Sequence, residues 1–220
     1  MRLYDSPGYG SHLPLIHLMM YKLTPQLVVE LGPGLFSTKA FLSYPIERFI
    51  TIENDEEWVE YIKKRYPNIQ VLIHRLPSYI SPYTSLTEIK TNITQHFITN
   101  YYRKLYYYFR REKYIPKLLF VDNFACCRKI AITTLGHLFD IIIWHDSQVK
   151  QYYCYDFVDK FCSKYDYYTL KVSLIHTDCL LKKTHNILFD DLKFLIDTYI
   201  LQYCQLYKIS PNACSFVKNL

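Results

Sequence analysis

The chain has 220 residues and a formal net charge of +6; half of the residues are hydrophobic and 21% are charged. That balance belongs to a globular protein and excludes disordered, collagen-like and low-complexity chains. No apolar run approaches the roughly 18 residues of a membrane-spanning helix, and the opening MRLYDSPGYGSH has no apolar core, so neither a span nor a signal peptide is expected.

In chain order, residues 27–31 (LVVEL) form a short apolar run that ends in Gly-Pro-Gly, which predicts a buried strand and a tight turn. Ser37 or Thr38 can cap a helix running to about Tyr44. Residues 49–53 (FITIE) are a second strand. The next helix is well marked, with Asn54 or Asp55 as cap, Glu56 and Glu57 in the first turn, Lys63, Lys64 and Arg65 in the last, and Pro67 as stop. Acid at the start and base at the end both suit the helix dipole.

Strands three, four and five are expected at 69–73, 118–122 and 141–145. The fifth, IIIWH, is nearly all apolar, as a central parallel strand should be. Helices at 128–137 and 151–164 flank it. Residues 168–175 and 179–183 supply two closing strands, and 189–207 an amphipathic helix. Alternating strands and helices predict an α/β sheet covered on both faces. One α/β domain is expected over 1–188, with a helical, basic, Tyr-rich insertion at about 85–117, and 189–220 packs on it as a helical extension.

Such sheets bind ligands beyond the carboxyl ends of their strands, at the switch in strand order. After strand one comes Glu30-Leu31-Gly32-Pro33-Gly34-Leu35-Phe36-Ser37-Thr38. Glycines there let a ligand approach the backbone, and a helix amino terminus offers free N–H groups. Glu53 ends strand two, 21 residues past Gly32, where a carboxylate can accept from both ribose hydroxyls. Asp122-Asn123 follows strand four, and His145-Asp146-Ser147 follows strand five.

A dinucleotide fingerprint G-x-G-x-x-G would need glycine where Ser37 stands, which weakens a nicotinamide reading. The acid before the glycines, E-x-G-x-G, instead resembles motif I of the class I S-adenosylmethionine-dependent methyltransferases. The resemblance covers about residues 5–170. It is similar to a poorly characterised branch with Gly10-Ser11-His12 before strand one, Asp122 followed by Arg128, His145-Asp146-Ser147, and a Tyr-rich helix start at Tyr152-Tyr153-Cys154-Tyr155. The resemblance implies a Rossmann-like class I methyltransferase sheet and S-adenosylmethionine as cofactor. Glu30, Gly32 and Gly34 would line its methionine moiety, with Ser37 and Thr38 at the same turn, and Glu53 would take the ribose. Three departures accompany it. Phe36 stands at the usual third glycine, His74 and Arg75 stand where relatives hold an acid for adenine, and residues 123–127 lack glycine and proline.

Methyl transfer needs alignment above all, and a base when the acceptor is a hydroxyl of high pKa. Asp122, His145 and Asp146 are the candidate catalytic residues. Asp122 and Asp146 could instead hold a divalent cation, with Asn123 or Ser147 as third ligand. His12 is a candidate substrate contact. His17, His96 and His137 read as packing residues, and Cys126-Cys127 as loop filling.

Between residues 103 and 117 six basic residues face Glu112 alone. Leu86, Ile89, Ile93, Phe97, Tyr101, Leu105 and Tyr108 recur three or four apart and form one helical stripe, expected to pack on the sheet. Arg103, Tyr107, Arg110 and Arg111 lie on the other face, where bases alternating with aromatics suit phosphate contact and base stacking. Seven scattered cysteines without a CxxC ladder predict reduced thiols and a cytoplasmic protein. Five Gly and 23 Tyr, with abundant Ile and Lys, are the signature of an AT-rich coding genome, a viral one included.

Two functions are carried forward. The first is methyl transfer to an oxygen or nitrogen acceptor. The second is a catalytically degenerate methyltransferase fold that binds a partner, nucleic acid among the candidates, with Phe36 filling the cofactor pocket.

Overall fold

The computed structural model describes residues 10–76, 80, 92–148 and 157–219. Eight strands form one sheet: β1 (Leu27–Leu31), β2 (Arg48–Glu53), β3 (Gln70–Ile73), β4 (Lys117–Val121), β5 (Ile141–His145), β6 (Tyr165–Val172), β7 (Ile175–Lys182) and β8 (Cys214–Asn219). Their order is β3-β2-β1-β4-β5-β7-β6-β8. The first five are parallel, and β7, β6 and β8 add antiparallel. The helices are α1 (Leu13–Leu23), α2 (Ser37–Phe41), α3 (Glu56–Arg65), α4 (Asn92–Arg110), α5 (Ala125–Leu135) and α6 (Phe189–Tyr207).

The central parallel strands β1, β4 and β5 are buried along their whole length, as their mostly apolar runs require. Successive side chains alternate between two cores. Leu27, Val29, Leu31, Leu119, Val121, Ile142 and Trp144 pack with α4 and α5. Val28, Leu118, Phe120, Ile141 and Ile143 pack with α1, α2 and α6. Each fully buried aliphatic contributes roughly 1.5–3 kcal/mol. Beyond β1 the chain turns outward to β2, and β4 lies on the other side, so the strand order switches between β1 and β4. A crevice opens there, beside β5.

Several elements differ from the sequence expectation for local reasons. Phe36, not Ser37 or Thr38, takes the cap position of α2, without a side-chain capping bond. Ser37 and Thr38 are instead buried in the first turn. Asp55 does cap α3, accepting from the N–H of Glu57 and of Trp58. α5 starts about one turn earlier than expected, so buried Cys126 and Cys127 open a helix rather than fill a loop. β6 and β7 form a hairpin turning at Ser173-Leu174, where Ser173 has φ +58° and Leu174 is exposed. The extension beyond residue 188 is a helix and a strand, since β8 pairs with β6. Of the helix expected at 151–164, residues 151–156 lie outside the described residues, and a 3-10 turn spans Val158–Lys160.

The buried face of α4 is Ile98, Tyr102, Leu105 and Phe109. The expected stripe was rotated by about one residue: Phe97 and Tyr108 are exposed, and Leu86 and Ile89 lie outside the described residues. A helix this rich in aromatics supports two adjacent apolar stripes, and sequence spacing does not choose between them.

Candidate active site

The turn after β1 is locked by its own geometry. Gly32 has φ +82°, a left-handed conformation that side chains other than glycine rarely adopt. A Cβ at Gly32 would lie 2.5 Å from the Asp122 carbonyl oxygen and 2.7 Å from the Asn123 nitrogen. The first loop therefore rests directly on the loop after β4. Gly32 also donates its N–H to the Ile52 carbonyl at the end of β2.

Beneath this turn Glu30 is wholly buried. Its Oε2 accepts from Thr38 Oγ1 at 2.8 Å, and its Oε1 has no hydrogen-bond partner among the described residues. Burial pushes its carboxyl up to about 8, against the bonds from the helix start that favour the ion.

An open cleft of about 310 Å³ lies at the switch point, lined by Gly32, Pro33 and Gly34 on one side and by Asp122, Asn123, Phe124, Arg128 and Asp146 on the other. Glu53 and Trp58 close its outer end. Glu53 Oε1 accepts from the backbone N–H of Asn54 and, at 3.1 Å, of Asp55. Burial pushes the Glu53 carboxyl up to about 7. The Trp58 indole N–H donates to the Pro33 carbonyl at 2.7 Å and stacks on Tyr61. Phe36 is not among the lining residues; its ring meets Tyr207 edge to face at 6.4 Å.

On the inner wall Arg128 ties two loops together. Its Nη2 donates to Asp122 Oδ1 at 3.0 Å, its Nε to the Asn123 carbonyl at 2.7 Å and its Nη1 to the His145 carbonyl at 3.0 Å. Asp146, with φ +59°, holds Oδ2 3.6 Å from Arg128 Nη1. His145 is buried: Nδ1 lies 3.5 Å from Asp122 Oδ2, and Nε2 is 2.7 Å from Ser11 Oγ. Burial would raise the Asp122 carboxyl, but the charge and hydrogen bond of His145, with the Arg128 guanidinium, hold it below the usual carboxylate value. Burial likewise opposes the imidazolium of His145, yet Asp122 and Asp146 together keep its pKa raised.

His12 packs against the same group. Its ring meets His145 edge-on with centroids 4.8 Å apart and tilts over Phe120 at 5.2 Å. It is buried, and neither ring nitrogen has a hydrogen-bond partner among the described residues. Burial drives its pKa down to about 3.

Of the residues singled out in the sequence, Gly32, Gly34, Glu53, Asp122 and Asp146 line one cleft, and His145 and His12 stand behind Asp122. Glu30, Ser37 and Thr38 lie under the turn and do not line the cleft. Arg103, Arg110 and Arg111 stand apart on the exposed face of α4, where Arg103 helps to line a shallow groove with Phe97, Tyr101 and Tyr107. Sequence reading missed Trp58, Pro33 and Phe124 as lining residues and Ser11 as the partner of His145. A Trp one turn past a capping Asp, on the helix leaving Glu53, was the available signal for Trp58.

No family model matches the sequence, and no curated protein matches it. Solved structures do. An rRNA methylase from Streptococcus thermophilus superposes with a TM-score of 0.50 at 10% identity, over 76% of this chain and 93% of that one. A methyltransferase-like protein from Silicibacter pomeroyi gives a TM-score of 0.46 at 13% identity, over 91% of this chain and 95% of that one. Strand order, helices on both sheet faces and the first of these likenesses agree on one conclusion: the chain has a Rossmann-like methyltransferase fold.

Proposed function

We propose that this protein is an S-adenosylmethionine-dependent methyltransferase acting on an oxygen or nitrogen acceptor. The observation that carries the reading is the cleft at the β1–β4 switch, which gathers a glycine turn, a carboxylate at the end of β2 and two carboxylates at the ends of β4 and β5. Its volume falls within the range of small-molecule sites. The residues fit the cofactor where the cleft meets the end of β2: Glu53 lines it, and Oε2 of Glu53 has no hydrogen-bond partner among the described residues.

When bound, the cofactor supplies a methyl carbon made electrophilic by its sulfonium. The chain supplies position and charge. Glu53 would accept from the ribose hydroxyls, and the turn at Gly32 and Gly34 would let the methionine portion come close to the backbone. Ser37 and Thr38 brace the turn from below through Glu30. Asp146 and Asp122, with His145 behind them, face the remaining end of the cleft, where the acceptor's proton must be taken. His145, held by Asp122 on one nitrogen and Ser11 on the other, acts through Asp122, whose carboxylate it orients and keeps ionised for proton removal.

A second reading, a methyltransferase fold retained as a nucleic-acid-binding module, draws on one feature. The exposed side of α4 carries Arg103, Lys104, Arg110 and Arg111 beside exposed Phe97 and Tyr107. The obstruction first attributed to Phe36 does not favour it, because that ring packs on Tyr207. Ultraviolet cross-linking of labelled S-adenosylmethionine separates the readings. The proposal expects labelling that unlabelled cofactor and its demethylated product suppress, that NAD leaves intact, and that Glu53→Ala abolishes. Labelling indifferent to both adenosyl competitors and to Glu53→Ala would refute it.

A further inference from the structure

We propose that His12, Asp122 and His145 form a binding site for a first-row divalent metal ion. The donor atoms of these three residues lie within 4.8 Å of one another. They come from three separate parts of the chain: the segment before α1, the end of β4 and the end of β5. The set is two imidazoles and one carboxylate, which suits zinc, iron(II), cobalt or manganese better than calcium or magnesium.

Three details favour a metal over simple packing. First, His12 is buried, and both of its ring nitrogens lack hydrogen-bond partners among the described residues. A buried polar group without a partner is costly, and a coordinated cation would satisfy one of these two nitrogens. Second, the other members are already held as ligands usually are. Ser11 Oγ occupies His145 Nε2, and Nδ1 faces Asp122 Oδ2 at 3.5 Å, a contact in which the cation would replace the proton and release it to solvent. Arg128 occupies Asp122 Oδ1, which leaves Oδ2 on the His145 side. Such outer contacts orient ligands and fix tautomers. Third, Asp122 also lines the cleft, so an ion it held would border that space and keep open positions for water or substrate. Ligands around zinc stand about 3.4 Å apart for bonds of about 2.1 Å. The Asp122–His145 pair, at 3.5 Å, is near that already, and binding requires His12 to close by up to about 1.4 Å.

This site differs from the Asp122–Asp146 pair expected from sequence. Asp146 Oδ1 is 3.8 Å from His145 Nδ1, and its Oδ2 faces Arg128. If the methyl-transfer reading holds, the ion would lower the pKa of an acceptor hydroxyl bound next to Asp122. The metal site itself does not depend on that reading.

The test uses the full chain, dialysed against a chelator and titrated with Zn²⁺ by calorimetry and with Co²⁺ by visible absorption. One equivalent should bind, with Co²⁺ bands of nitrogen and oxygen ligation. His12→Phe preserves the ring volume beside Phe120 and should weaken binding at least about 100-fold; Asp122→Asn, a second and milder variant, should weaken it as well. Circular dichroism checks that both fold. No binding to the wild type, equal binding to folded His12→Phe, or a thiolate charge-transfer band from the cysteines would each overturn the site. Titration of metal-free protein with S-adenosylmethionine keeps the two hypotheses apart: cofactor binding without metal binding refutes only the metal site, and the reverse refutes only methyl transfer.

Discussion

Ser11 Oγ lies 2.7 Å from His145 Nε2, a buried bond between residues 134 positions apart. It ties the segment that precedes α1 to the end of the central strand β5, and so braces from behind the wall that Asp122 lines. His145 is thereby oriented from both sides, by Ser11 and by Asp122. Cutting the first of these contacts should disturb the wall while leaving the sheet intact.

Glu53 should set the pH dependence of cofactor binding. Burial, with the nearby charges of Asp55 and Asp122, raises its carboxyl to about 7, while bonds from Asn54 and Asp55 resist that shift. The ribose hydroxyls need the ionised form as acceptor, so affinity should fall as pH drops from 8 to 6. Glu53→Gln should flatten that profile, and Glu53→Ala should weaken binding by about 1.5–3 kcal/mol at pH 8. Calorimetry at three pH values decides it; a wild-type affinity independent of pH would remove Glu53 from the site.

Glu30 should cost stability at alkaline pH. Its folded value is about 8 and its ordinary value 4.5, so the folded state holds a proton that the unfolded state releases between those limits. Stability from this group is therefore present below about pH 4.5 and is lost as pH rises toward 8. Glu30→Gln keeps the shape and an acceptor for Thr38 without the charge. It should match the wild type near pH 5 and exceed it on the order of 2–4 kcal/mol at pH 8.5. Urea unfolding at both pH values checks this, and equal stability at pH 8.5 would contradict it.

Gly32→Ala should damage the fold and the site together. The new Cβ meets the Asp122 carbonyl oxygen at 2.5 Å in a left-handed conformation. A loss on the order of 2–4 kcal/mol is expected in denaturant unfolding. Gly34→Ala meets only Ser37 Oγ, at 3.1 Å, and should cost far less. Equal effects of the two substitutions would contradict the interlocked loops.

Asp146→Asn should abolish turnover and leave cofactor affinity nearly unchanged. Asparagine tolerates the left-handed backbone that Asp146 adopts, so the loop should keep its shape. Full activity in the variant would reject a role for this carboxylate in proton removal.

Replacing Arg110 and Arg111 together by Gln should lower affinity for single-stranded RNA and reduce its salt dependence by about two charges. Binding that is unaffected by both salt and substitution would leave the α4 surface as a solvated basic face.

Much of this arrangement was legible in the sequence. The runs at residues 27–31 and 141–145 fixed two central strands to the residue, because a doubly covered strand is a continuous apolar run. Residues after strands converge on one edge by topology alone, which is why Glu53, Asp122 and Asp146 could be assembled without coordinates. Other features lacked a local signal. The rotation of α4 depends on which of two aromatic stripes the sheet accepts. β8, with only one of its side chains fully buried, shows no strand pattern outside its pairing with β6. Arg128 acts through three bonds to two loops, and the Ser11–His145 contact spans most of the chain; no spacing rule reports such pairs.

The most direct test of methyl transfer is calorimetric titration of the purified protein with S-adenosylmethionine and with its demethylated product, NAD serving as control. The account predicts micromolar binding of both adenosyl ligands at pH 8 and none of NAD. A folded protein that binds neither adenosyl ligand would contradict it and leave the fold as a scaffold.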